Sequence, residues 1–497
     1  MKPKTDSGRI FVTAILIYAA FWNPWLQSSM TWNLLDAAVS FVDTGRWEQA
    51  HPYLYAGWDT ATARGRVISA LPPGASVVIM PFYLLWRAVT GPADTQPAFQ
   101  AFNGFLALAL GATASALAAA QVYWLAGWLG ATRSGRLWAA ALFAFGTQNF
   151  AFGTTFCKEN LVGLAVATSF RLALEPGGRG RRAASGAIAG AAPAFALTTG
   201  LLPPVLLLLV TWREGIRRGA AFLLGATPPV LALGAYHLWL FGSPWHPTYF
   251  SVPQLPQILF VPPKPTMLLE FLVGPSNGTF LYSPFLILGA ARSIGALWGG
   301  LHREAWTTLI FFLSLWIGAV SVLSSLSDHA AWAMSLGSRY LFPVVPLLAA
   351  FAGQQLERTS KQIRLMVAVL SLFCGYLSAQ AGLIPGLDIF TYAVKTWLSG
   401  TGMGVFFKEA LPAWLGFETL HTVVSRPDVS ARDLIRMLPT PRGLELVRNQ
   451  AVLLAVNVTV LAGIGWIISR LWRMAPVPAA PLSPSPDGQA TTDDQGF

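Results

Sequence analysis

Along 497 residues, apolar stretches near twenty residues long recur from Ile10 to Ile468. A backbone enters hydrocarbon only when its N–H and C=O groups bond within the segment, so about 20 apolar residues in succession dictate a spanning helix. The candidates are Ile10 to Gln27, Leu71 to Val89, Ala101 to Trp124, Leu137 to Phe152, Asn160 to Leu174 and Ala184 to Trp212. Further along come Ala220 to Phe241, Thr279 to Trp298, Ala305 to Leu326, Tyr340 to Ala352, Leu365 to Ile384 and Ala451 to Ile468. Only 11% of residues are charged, where a soluble domain carries roughly 25%. So few charges cannot cover a wetted surface of this size. The expected fold class is an all-α integral membrane protein with about a dozen spans.

The net charge of +11 invites a nucleic-acid reading, but the basic residues are not pooled in one patch. They sit in short runs between the apolar stretches: Arg133-Arg136, Arg179-Arg181-Arg182, Arg213-Arg217-Arg218, Arg292-His302-Arg303, Arg358-Lys361-Arg364 and Arg470-Arg473. That is the distribution of cytoplasmic loops. All six runs fall on one side under two conditions. Ala184 to Trp212 must be two short helices, broken near Thr198-Thr199-Gly200 and Pro203-Pro204. Leu71 to Val89, which opens with Pro72-Pro73-Gly74 and contains Pro81, must be interfacial or re-entrant. Both termini are then cytoplasmic. Residues 1–384 form a polytopic domain with an outer loop at 28–70. Residues 385–450 lie outside, 451–472 form the last span, and 473–497 form a disordered cytoplasmic tail.

Chemistry is expected where polar residues gather opposite the arginines. Trp32 to Phe41 has apolar residues at helical spacing beside Asp36, as in an amphipathic helix lying on the membrane or a covering helix with a solvated Asp36. Asp59 precedes Arg66 and the Pro72-Pro73-Gly74 turn; it is a candidate general base or a turn former. Lys158 and Glu159 open a helix. Glu159 there suits the helix dipole, while an ionisable pair at the membrane edge is also a functional candidate. His246 stands between Pro244 and Pro247. Asp328-His329 and Ser338-Arg339-Tyr340 share one short outer loop, and Arg339 suits a phosphate or a lipid headgroup. Cys157 and Cys374 show no metal-ligand spacing. No P-loop, HExxH or Gly-x-Ser-x-Gly elbow appears, which excludes those ATPase, protease and esterase types.

The order of these features resembles the GT-C class of membrane glycosyltransferases, which includes protein mannosyltransferases and aminoarabinose transferases. The stretches that carry the resemblance, to a bacterial branch, are Gly65 to Gly74, Phe145-Gly146-Thr147, Gly274 to Pro284 (GPSNGTFLYSP) and Trp332 to Pro343 (WAMSLGSRYLFP). They fall within residues 10–360. The resemblance implies an inner-membrane enzyme that moves a sugar from a polyprenyl-phosphate donor to a glycan, lipid or protein acceptor on the outer side. By position it implies Asp59 or Asp36 as base and Glu159 as the second acidic residue. Arg339 would hold the phosphate, with Lys158 or Arg66 as alternates. From the outer loops themselves, His246, His329 and Tyr340 are further substrate-binding candidates. No nucleotide is needed, and no motif supports a divalent metal. The chain departs from better-known members in one place: Ser28-Ser29-Met30-Thr31 stands where they carry an acidic pair. A transporter or flippase of a lipid-linked substrate, and a non-catalytic GT-C-like protein, are the competing readings. A transporter calls for polar clusters at mid-depth; a transferase calls for them at the outer edge.

Overall fold

The computed structural model describes residues 6–24, 29–50, 59–251, 262–274, 278–325, 339–381, 406, 409, 411–424 and 429–473. Their architecture is a helical bundle with one two-stranded hairpin. In chain order come α1 (Asp6–Ala20), α2 (Ser29–Thr44), β1 (Thr60–Ala63), β2 (Arg66–Ser69), α3 (Gly74–Thr90) and α4 (Gln96–Leu106). A π-helical turn, Ala107–Ala112, joins α4 to α5 (Thr113–Trp128). There follow α6 (Arg133–Phe145), α7 (Gln148–Thr154), α8 (Lys158–Leu174), α9 (Arg179–Ala191), α10 (Leu202–Glu214) and α11 (Ile216–Phe241). The second half holds α12 (Pro265–Val273), α13 (Thr279–Tyr282), α14 (Phe285–Gly295), α15 (His302–Ser325), α16 (Val345–Arg358) and α17 (Lys361–Ala381). The short α18 (Leu411–Trp414), α19 (Leu420–Val424) and α20 (Ala431–Met437) precede the long α21 (Pro441–Arg473).

Five of these helical runs are long and apolar enough to cross a membrane: Gln96–Trp128, Ile216–Phe241, His302–Ser321, Lys361–Ala379 and Pro441–Arg473. The apolar windows of Ile216–Phe241 and Lys361–Ala379 are only 22% buried, and that of Pro441–Arg473 only 11%. Such exposure is untenable in water and is what a lipid-facing surface requires. The centre is formed by α5, α6, α8, α14 and α16, where small residues let backbones approach. Gly135 of α6 lies against the Gly353 carbonyl of α16, and Gly289 of α14 against the Leu348 carbonyl. On the flank, Gly186 meets the Phe222 carbonyl and Gly225 the Ala183 carbonyl, which locks α9 onto α11.

Three expectations are refined. The stretch Leu137 to Phe152 is two helices, because Gly146 ends α6 and the Thr147 hydroxyl caps α7 by accepting from the Asn149 N–H at 3.0 Å. Ala184 to Trp212 is broken as anticipated, through 3-10 turns at Ala192–Ala194 and Leu197–Leu201 ahead of the prolines that open α10. The last span extends well beyond Ala451 to Ile468, reaching back to Pro441 and on to Arg473.

Ion pairs sort the helix ends into two poles. Arg133 bonds Asp6 at 2.6 Å, Arg182 pairs with Glu214, and Arg213 pairs with Glu304. The first residues of α1, α6, α9 and α15 and the last of α10 therefore share one pole. The arginine beginning α1, Arg9, lies over Trp472 near the end of α21. The opposite pole holds the starts of α2, α8 and α16. There the Trp22 indole donates to the Gly104 carbonyl at 3.0 Å, and the Asn23 N–H donates to Thr154 at 2.8 Å. The helix α3 packs against its neighbours. Its Gly74 lies against Ala194 after α9, and its Tyr83 packs on Phe102 of α4, with ring centroids 5.2 Å apart.

Candidate functional site

The pole opposite the paired arginines is built around the turn before α8. Asn160, one residue past Glu159, is the hub of that turn. Its carboxamide accepts from the Cys157 N–H at 2.8 Å and donates to Phe152 O at 2.7 Å, Ser115 Oγ at 2.8 Å and Gly111 O at 3.2 Å. Gly111 is required on its own account, because a Cβ there would strike the Thr155 carbonyl. The π-helical turn thus sits directly against the loop that delivers Glu159, a placement such turns often have at functional sites.

Glu159 is 6% exposed, and its Oε2 has no hydrogen-bond partner among the described residues. A buried charged oxygen without a donor costs several kcal/mol. A helix-dipole residue has no need of such burial, since it gains its electrostatic benefit at the surface. Lys158, beside it, is half-buried and forms no ion pair among the described residues.

The start of α2 reaches this turn. Thr31 donates to the Phe156 carbonyl at 3.4 Å. Its neighbour Met30 carries its sulfur 4.0 Å from Arg339 Nη1. Arg339 also lies over the Tyr340 ring, 5.2 Å from its centroid, and donates to the Tyr340 hydroxyl at 3.3 Å. Arg339 is carried there by Phe342, which packs edge-on against Phe152 with ring centroids 4.8 Å apart and fills the space over Gly163 of α8. Met30 and Thr31 therefore touch Arg339 on one side and the Glu159 turn on the other.

Asp36 departs from its expected setting. The helix α2 does not lie on a surface with a solvated carboxylate; Asp36 is 0% exposed and accepts from Ser40 Oγ at 3.0 Å. Three hydrogen bonds hold neighbouring segments over its helix. From α3, Ser76 donates to the Leu34 carbonyl at 2.9 Å. From the other side, the Ala50 N–H donates to Ser40 Oγ at 3.0 Å and the Gln49 carboxamide donates to Asn33. An amphipathic pattern is compatible with lying on lipid or under protein, and here protein covers the polar side.

A second group assembles at the hairpin. Arg64 and Gly65 adopt left-handed φ values of 52° and 75°, the pairing that a tight two-residue hairpin turn demands. Asp59 also has positive φ, 60°, and its carbonyl accepts from the Ala70 N–H at 2.9 Å, closing the base of the hairpin. Thr248 donates to the Ala70 carbonyl, so the His246 loop docks on the same base. His246 lies 2.9 Å from Ser251 Oγ and packs on Phe241. Arg66 pairs with Glu48 at the surface and is 58% exposed. His329 lies outside the described residues.

The geometry thus joins Glu159, Lys158, Arg339 and Tyr340 with the helix bearing Asp36, and gathers Asp59, His246 and Arg66 separately. Sequence reasoning passed over Asn160, Asn33 and Gln49. Asn160 could have been found as a side-chain acceptor three residues past Cys157, the spacing of a capping box. Gln49 has no sequence signal. Among the described residues no group of His, Cys, Asp and Glu could hold a metal, and both cysteines are free.

These features define a polytopic helical membrane protein whose polar groups converge at one pole. No protein-family model matches the chain, and no curated protein matches its sequence. Among solved structures it is similar to the oligosaccharyltransferase AglB of Archaeoglobus fulgidus, in complex with an inhibitory peptide and a dolichol-phosphate. The identity is 11% over 78% of this chain and 57% of that one, with a TM-score of 0.47. It is also similar to apo ArnT of Cupriavidus metallidurans, at 14% identity over 93% of this chain and 75% of that one, TM-score 0.46. Both neighbours are GT-C glycosyltransferases. The chain spans 57% of the AglB length.

Proposed function

We propose that this protein is a membrane glycosyltransferase that takes a sugar from a polyprenyl-phosphate donor and passes it to an acceptor at the non-cytoplasmic face. The observation that carries the reading is Glu159. A carboxylate held in a dry site by a dedicated hydrogen-bond hub, with one oxygen unpartnered, is suited to a hydroxyl or an amine that arrives with substrate. Arg339, delivered to the same α2 terminus, supplies the planar fork that suits a departing phosphate. Asp36, on that helix, is the general base of the proposal. Asp59 is the other carboxylate that the family pattern allows, but its role in closing the hairpin accounts for it without catalysis.

The arginine-rich pole faces the cytoplasm in this reading, by the positive-inside rule. The Glu159 pole then faces outward, where lipid-linked sugars that have crossed the membrane are presented.

The test is turnover by the full chain in nanodiscs supplied with radiolabelled polyprenyl-phosphate hexose and pentose, read as release of free polyprenyl phosphate. Asp36→Asn should abolish release and Asp59→Asn should leave most of it. The reverse result moves the base to the hairpin. Wild-type protein that releases nothing from either donor with a cell-envelope acceptor extract would remove the transferase reading and leave a transporter or a scaffold.

A further inference from the structure

The opposite pole carries a feature that sugar transfer does not use. A cavity of about 300 Å³ opens between the end of α5, the end of α14 with its following loop, and α16. Its walls include Trp128, Gly130, Arg292, Gly299 and Gln354. Glycine creates the room: a Cβ added at Gly300 would meet nothing within 4 Å, and Gly130, at φ 87°, ends α5 in a conformation that other residues resist.

The charge in the cavity is oriented by a carboxamide rather than by a carboxylate. Arg133, Arg182 and Arg213 at this pole each meet a carboxylate. Arg292 meets none among the described residues. Its Nε donates to Gln354 Oε1 at 2.6 Å, which fixes the guanidinium plane, and neither terminal nitrogen has a protein acceptor among the described residues. Arg358 follows Gln354 by four residues on α16, hence on the same helix face, and forms no ion pair among the described residues. One guanidinium lines the void, oriented by a neutral carboxamide, and a second stands one helical turn beyond that carboxamide on α16. Trp298, 83% exposed on the adjoining loop, is placed as an interfacial anchor that would hold this rim at headgroup depth.

We propose that this cavity is a binding site for a phosphate-bearing ligand, with the Arg292 fork gripping two phosphate oxygens and Arg358 adding charge at the mouth. An oriented guanidinium with free terminal N–H groups is the donor geometry that phosphate oxygens fit. The volume lies at the small end of ligand sites and suits a headgroup or a small phosphate ester. Lipid acyl chains would lie outside it, along the bundle. The site is independent of the proposed transferase centre, whose residues lie at the other ends of α5 and α16.

The test uses the full chain in a phosphate-free maltoside detergent with two probes, phosphatidylglycerol and inorganic phosphate. Binding is read by native mass spectrometry and by the thermal midpoint, which rises when a ligand binds only the folded state. At least one probe should bind wild type, and Arg292→Gln should weaken it tenfold or more, with Arg358→Ala weakening it less. Retention of phosphatidylglycerol alone identifies a lipid headgroup; a matching response to inorganic phosphate identifies a soluble ester. Should Arg292→Gln fail to fold, Arg358→Ala, on an exposed side chain, carries the test with Arg66→Ala on the hairpin as control. Binding of neither probe to wild type, or equal binding by all variants, overturns the proposal.

Discussion

Two buried carboxylates, Glu304 at one pole of the molecule and Glu159 at the other, are satisfied in opposite ways. At the arginine-rich pole, Glu304 is 7% exposed yet bonded to Arg213, and Arg182 is fully buried yet bonded to Glu214. At the other pole, Glu159 is equally buried and one of its oxygens has no donor among the described residues. Burial is matched; satisfaction is not. A paired buried charge holds helices in register, and its removal shows as lost stability. An unsatisfied one, at a site stiffened by Asn160, is a structural cost with no structural return, and its removal should show as lost activity.

The largest expected effect tests that contrast directly. Glu159→Gln keeps the shape and removes the charge. It should lower transfer by roughly 10²-fold or more, the scale of a positioned acid–base or polar group, while the thermal midpoint stays level or rises because an isolated buried charge is gone. A fall in midpoint with little change in turnover would reverse the assignment and make Glu159 a packing residue.

Arg339→Ala comes next. Loss of a charge-assisted contact to phosphate is worth about 1.5–3 kcal/mol, so donor affinity should weaken by roughly 10- to 150-fold. Arg339→Lys should recover part of it, since the charge returns without the fork. Full recovery by lysine would argue for an interfacial anchor.

At the arginine-rich pole the prediction changes kind. Arg213→Ala strands the Glu304 carboxylate. Breaking a buried pair costs about 3–5 kcal/mol, and the 30% exposure of Arg213 reduces that to about 1–3. The readout is the thermal midpoint in nanodiscs, with turnover per folded molecule unchanged. The double variant Arg213→Leu with Glu304→Leu should lie nearer wild type than Arg213→Ala does, because no charge is left alone. A turnover defect in Arg213→Ala would mean that the poles are coupled and the contrast is too simple.

How much of this was legible beforehand follows from what a sequence encodes. Apolar length and proline placement are local, so the helical class and the break before Leu202 could be read from residues such as Pro203 and Pro204. Charged residues within apolar flanks are conspicuous, so Glu159 and Arg339 stood out. Burial by distant segments is not local. Asp36 looked solvated because nothing in residues 32–41 announces that Gln49, Ala50 and Ser76 close over it. The split between the Asp59 hairpin and the Glu159 turn is likewise tertiary. Both fall in polar segments away from the arginine-rich runs, and only the contact of Met30 with Arg339 and of Thr31 with Phe156 distinguishes them.

The smallest effect is expected from the residue that the sequence offered as a phosphate partner and the fold sets apart. Arg66 stands on the hairpin, 58% exposed, facing Glu48. An exposed pair of this kind contributes about 0–1 kcal/mol, because water screens both charges and the long side chains lose rotamer freedom in holding the contact. Arg66→Ala should therefore leave turnover and donor affinity within about twofold of wild type, and added salt should shrink the difference. The comparison with Arg339→Ala is then the informative quantity. Two arginines of equal formal charge should differ by at least tenfold in their effect on donor affinity, because only one is fixed against the helix start that also meets the Glu159 turn. Equal losses would mean that net positive charge near the membrane, rather than a positioned guanidinium, attracts the lipid phosphate.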